Sequence, residues 1–264
     1  MNSLRKLIAL IICVVMLCSC LVACDEILGN NHGNGQGGDV ELQSDNYVAS
    51  IRIKYATNDD KMKSAVDAMG TPDTTLTVVG DNLKLESKAT LNSISVDNEY
   101  VYVDGVLYYA NTLKVADNSI TSLKKAEIDE TKINSLISKA GAGANIGIGD
   151  FISHKMSTSG DVTTFTCTEM DEEAKASLAD IFASKFDGLG ANVRLEDVSY
   201  ILEVKNDRNQ SSTLSCNFVI DMDGESYEIT MHLYCDYDYD AEISITAPDN
   251  ADAYTDATVD EILG

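Results

Sequence analysis

A chain of 264 residues is long enough for one large β-rich domain or at most two small ones. Its hydrophobic fraction of 44% beside 23% charged residues suits a soluble globular body, but 43 acids against 19 bases leave a net charge of −24. A surface of that sign repels phosphate backbones and anionic headgroups, which excludes nucleic acid as a partner. Solubilising acidity, or attraction of cations or a basic partner, remains as its use.

Residues 1–23 read as an export signal peptide. Arg5 and Lys6 form the positive end, Leu7 to Leu17 the apolar run, and small residues then lead to a cysteine. The run stops at Cys24 and meets Asp25 and Glu26 at once, which is marginal for a spanning helix. Leu21-Val22-Ala23-Cys24 resembles the lipobox of bacterial lipoproteins; Leu17-Cys18-Ser19-Cys20 competes, with a bulkier residue before Ser19. The resemblance implies a diacylglyceryl group on the Cys24 sulfur, cleavage before it, and lipid anchoring by palmitate-type chains at the extracytoplasmic face of a cell membrane. Two acyl chains anchor stably where one does not. Loss of Arg5 and Lys6 takes the net charge from −24 to −26. Residues 24–46 follow as a tether, with Gly29, Gly33, Gly35, Gly37 and Gly38 among asparagines. Some 22 residues of such coil reach about 25 Å root-mean-square. His32, within it, reads as a solvated residue.

The folded body spans 47–248, with an acidic tail at 249–264. Tyr47, Ala49, Ile51, Ile53 and Tyr55 alternate with polar residues as a first strand. Asn58-Asp59-Asp60 opens a helix carrying Met62, Ala65, Val66 and Met69 inward, closed by Gly70. Strand patterns resume from Thr74, and Asp104-Gly105 joins Tyr100–Val103 to Val106–Tyr109 as a hairpin with a type I′ turn. Residues 111–127 carry a weak strand pattern. A second helix is expected from Asp129 to Gly141, with Ile133, Leu136, Ile137 and Ala140 inward. The glycine run 141–149 follows a helix and not a strand, so it fails as a dinucleotide-binding turn. Two strands surround Ser159-Gly160-Asp161. Asp171-Glu172-Glu173 caps a third helix, striped by Ala174, Leu178, Ile181, Phe182 and Phe186. Strands at Val198–Val204 and Leu214–Ile220 lead through Asp223-Gly224 into the longest pattern of the chain.

From Tyr227 to Thr246 every odd position is apolar or aromatic and every even one but Tyr234 is polar. One straight strand of this length would run about 65 Å, longer than a domain roughly 45 Å across. Asp236, Asp238 and Asp240 also repel one another on a shared face. The expected arrangement is two strands, 226–235 and 241–247, joined by an acidic bend. The acidic run is not a calcium loop, because Ala241 stands where glycine is needed and Ala247 where glutamate is needed.

Of the seven cysteines, Cys167, Cys216 and Cys235 lie in the body. A turn at Asp223-Gly224 sets Cys216 opposite Met231 and Cys235 opposite Ser212, an offset of about 13 Å that forbids a bridge between them. Buried free thiols are expected, with a pairing of Cys167 left open. No nucleophile elbow, zinc motif or phosphate loop occurs, and His154 and His232 lie singly on strands. The reading is no catalytic residue, no metal, no cofactor and no enzyme.

The lipobox, the tether, the Tyr100–Tyr109 hairpin, the Asp171–Phe186 helix and a last strand ending at Pro248 together resemble the LolA/LppX-like group of bacterial lipoproteins and lipoprotein carriers. The resemblance implies an α+β fold: a mainly antiparallel, curved half-barrel sheet of about ten to twelve strands, with roughly three short helices packed on one face. Acyl chains lodge between sheet and helices in that group. A lipid or other apolar small molecule is then the expected ligand, with Tyr237 and Tyr239 at the rim of the cleft as candidate contacts. The alternative is a cell-envelope protein-interaction or sensory module without a ligand cavity.

Overall fold

The computed structural model describes residues 46–68, 73–91, 94–128, 147–184, 192–222 and 224–263. The signal peptide, Cys24, nearly all of the tether, the expected helix at 129–141 and Phe186 lie outside the described residues.

Alternating sequence becomes one broad sheet. The first six strands are β1 (Tyr47–Ala56), β2 (Asp73–Val79), β3 (Asn82–Leu91), β4 (Ile94–Val103), β5 (Val106–Val115) and β6 (Asn118–Glu127). They form a meander running outward from β1. A second meander comprises β7 (Phe151–Ser159), β8 (Val162–Met170), β9 (Asn192–Lys205), β10 (Arg208–Met222) and β11 (Glu225–Asp238). It returns inward until β11 lies against β1, in register from Val48↔Asp238 to Ala56↔Thr230. A two-residue β12 (Thr255–Asp256) pairs with β6 in parallel, and the other strand pairs are antiparallel. The spatial order is β12-β6-β5-β4-β3-β2-β1-β11-β10-β9-β8-β7. Topology thus makes β1–β11 the seam between two halves that are far apart in sequence.

Turn chemistry sets the hairpins. Asp104 and Gly105 adopt φ of 51° and 81°, the left-handed pair that a type I′ turn needs and that matches the twist of the flanking strands. Met222 faces Glu225 across the Gly224 turn, where φ is 79°, and the whole β10–β11 register follows.

The expected half-barrel with about three helices layered on one face does not form. The sheet is open, and twelve strands at ~4.8 Å spread over about 50 Å. A helix is only about 10 Å wide, so each short helix shields the few strands beneath it. Helix α1 (Asp60–Ala68) packs on β1, α2 (Glu172–Ser184) on β9, and the five-residue α3 (Val259–Leu263) on β6. Under α1 and α2 lies the largest core, with Met62, Val66, Leu178, Cys216, Phe218 and Met231. A second core gathers Tyr47, Ala49, Ile51, Leu76, Leu85 and Cys235 on the same face of the central strands.

The break falls within the expected Asp236–Asp240 run, at 239–240, but the strand expected to end at 235 runs three residues further. β11 continues to Asp238 because Arg52 on β1 pairs with Asp236 and offsets the like-charge repulsion along the strand. Residues 241–248 form no strand; they leave the sheet, and Ile245 is buried against Val101 and Val103 on the opposite face. No helix among the described residues is long and apolar enough to cross a membrane.

Candidate functional site

Three constellations stand out, each positioned by strand register. The first contains the two tyrosines singled out from sequence. Tyr237 is the β11 partner of Ala49, and Tyr239 follows the end of the strand. Both turn onto Tyr47 at the start of β1, with ring centroids 6.0 and 5.9 Å from it and 6.4 Å from each other. The Arg208 guanidinium lies 5.1 Å over the Tyr239 ring. Such tilted contacts suit the quadrupoles of the rings and consume their faces in one another. Tyr47 is buried, while Tyr237 and Tyr239 stay half-buried.

The second lies on the opposite, polar face around His232. Its Nδ1 is 2.8 Å from the Ser215 hydroxyl across the β10–β11 ladder. Lys54 stacks 5.5 Å over the neighbouring Tyr234, and Thr230 donates to Asn217 at 2.8 Å. A serine beside a histidine is two-thirds of a hydrolytic triad, but among the described residues no carboxylate is hydrogen-bonded to this imidazole. His154 is elsewhere, on β7, edge-on to Phe165 at 5.8 Å.

The third was missed from sequence. Thr74, Ser87, Asn98, Asn111 and Ser122 stand opposite one another on β2 to β6 and form a polar row across the apolar face. Asn98 is buried, and its Oδ1 accepts from Asn111 Nδ2 at 2.7 Å and from the Tyr109 hydroxyl at 3.2 Å. Tyr109 stacks on Tyr100 with centroids 4.6 Å apart. The available signal was a polar residue in the apolar phase of each strand. The hydrogen bonds at the row's centre, both accepted by Asn98, pin register, since a slipped strand would bury this group against carbon.

The cysteines follow the predicted register: Cys216 faces Met231 and Cys235 faces Ser212. Cys167, Cys216 and Cys235 are buried and form no disulfide with one another. Burial pushes the Cys167 and Cys216 thiols up, away from the reactive thiolate. Among the described residues no group of three His, Cys, Asp or Glu is placed to hold a metal ion. Cys24 lies outside the described residues.

No protein family model and no curated protein matches the chain. Among solved structures it is similar to the dehydratase domain from the terminal module of the rifamycin polyketide synthase. That similarity has 14% identity, covers 71% of this chain and 74% of the other, and has a TM-score of 0.14. A similarity this low carries no argument about fold or activity.

Proposed function

We propose that the chain is a lipid-anchored extracytoplasmic interaction module of a cell envelope, without enzymatic activity. Cys24 carries the acyl anchor, residues 25–46 the reach, and the sheet the surface offered to partners. The observation that carries this reading over a lipid carrier is the burial of the apolar face across the central strands β1, β2 and β11. Ala49 and Met231 are 0% exposed and Ile51 and Leu76 are 2% exposed, which leaves little apolar surface there for a lodged acyl chain. The half-barrel cleft that lipid binding required is not the fold that forms. The charge pattern agrees. Asp81, Asp104, Asp161 and Asp207 sit at hairpin turns on the end of the sheet where the tether joins β1. Anionic headgroups repel that end, so the domain stands off the bilayer within the reach of its tether.

Peptide mass mapping of the membrane-extracted protein tests the anchor. The expected N-terminal peptide begins at Cys24 and carries a diacylglyceryl group; an unmodified Cys24, or a retained Met1, would sink the proposal.

A further inference from the structure

The two ends of the open sheet are finished differently. At β6, residues 255–257 cover the Lys124–Lys125 part of the edge. Thr255 and Asp256 pair with Lys124 and Lys125, the Ala257 N–H donates to the Lys125 carbonyl at 2.9 Å, and Ile262 is buried beside Leu107 and Ala126. At β7, among the described residues, no strand pairs with the outer edge. Every residue of β7 after Phe151 is exposed, including Ile152 at 63% and Met156 at 66%. An edge with free N–H and C=O groups is a template for another strand, and native sheets blunt such edges where pairing is unwanted. β7 is irregular only at its start, where the register shifts between Phe151 and His154. From His154 to Ser159 it pairs regularly with β8, and no proline interrupts it.

We propose that the 154–159 stretch of β7 is a docking edge for an extended segment of a partner protein in which apolar and acidic residues alternate. This rests on the reading of the domain as an interaction module and names the partner's chemistry. Period-two alternation assigns the two faces. On one, Met156 stands opposite Phe165, which stands opposite Leu202, so Met156 is the outer end of a row on the apolar face. A docked strand continues that row with an apolar side chain. On the other face Lys155 stands opposite Thr166, and Thr166 opposite Ile201. Among the described residues Lys155 has no ion-pair partner, whereas Arg52, Lys84, Lys114, Arg194 and Lys205 are each paired.

Charge selects the occupant. Residues 151–160 contain no acid in a chain with 43 of them. Carboxylates flanking β7 or on the strands beside it include Asp150 before its start, Asp161, paired with Lys205, Glu169, opposite Ser153, and Glu203, opposite Thr164. The regular part of the edge therefore carries one cationic side chain, Lys155, on an anionic body, and screening over about 8 Å lets the local sign decide. A second copy would bring the same lysine-bearing edge against itself between two bodies of like net charge. A strand with acids at the positions facing Lys155 sets opposite charge against it at the edge.

The test uses a fluorescein-labelled nonapeptide of alternating valine and glutamate, with a valine–lysine peptide as control. Expected are saturable anisotropy with the glutamate peptide and slowed hydrogen exchange confined to β7 amides between 154 and 159. Binding at least tenfold weaker is expected for the lysine peptide, for Lys155→Glu and for Met156→Asp. Both substituted positions are exposed, and circular dichroism checks that each variant folds. Three results overturn the proposal: unchanged exchange in β7, Lys155→Glu binding as well as the unsubstituted protein, or a peptide-free dimer whose protection maps to β7. Failure here leaves the Cys24 anchor untouched, whereas co-purifying lipid would fail the parent reading whatever β7 does.

Discussion

Asn98 illustrates how single residues hold this sheet. It occupies an apolar-phase position of β4, is buried, and accepts hydrogen bonds from both Asn111 and Tyr109. Replacing it with alanine removes that shared acceptor and is expected to cost about 1–3 kcal/mol in denaturant unfolding. Asp150 gives a pH signature instead. Its Oδ2 accepts the Gly147 N–H at 2.7 Å, and burial first, then the nearby Asp171 charge, raises its pKa above the usual 3.8. Ionising it therefore costs the fold. The penalty is absent below the unfolded pKa and is complete once pH exceeds the raised folded value. Asp150→Asn keeps an acceptor for Gly147 and loses the charge. Its Tm should equal that of the unsubstituted protein near pH 3 and exceed it at pH 7; a lower Tm at pH 7 would contradict this.

At the scale of elements, hairpins were the legible part. Asp104-Gly105 and the Gly224 turn carry their conformation in their composition, and the β10–β11 register, including Cys216 opposite Met231, followed from the turn alone. The alternation at 241–247 misled because period two reports that one side of an extended chain is buried, not that its backbone is paired. Ile245 does bury a side, but on the back of the sheet against Val101 and Val103. The 111–127 region looked weak because much of it is exposed, Ile120 at 70%, yet it forms the outer part of β5 and all of β6. The polar row was hidden for a different reason: its members are adjacent only across strands, and pairing order is not written in any one segment. C-terminal docking was equally invisible. Ile262→Asp should free that segment by burying a charge among Tyr102, Leu107 and Ala126, at a cost of about 2–5 kcal/mol, read as lost protection of the Lys125 amide, which faces β12, in hydrogen exchange. Unchanged protection would mean that β12 holds the edge without α3.

The whole molecule is two meanders welded along β1–β11, with short helices placed where the sheet's apolar face needs cover. The resemblance to half-barrel lipid carriers rested on the order and texture of elements. The half-barrel fold it implied, with about three helices on one face, failed at the one property those cannot encode, the ratio of sheet width to helical cover. Over its central strands the domain instead buries the apolar face within its own fold, and it turns its polar face and β7 edge outward. Native mass spectrometry of the membrane-extracted mature protein tests that claim most directly. The account predicts the mass of the chain from Cys24 plus its covalent acyl groups and nothing more. A second species carrying one further, non-covalent lipid in stoichiometric amount would contradict it and return the apolar face to the role of a binding site.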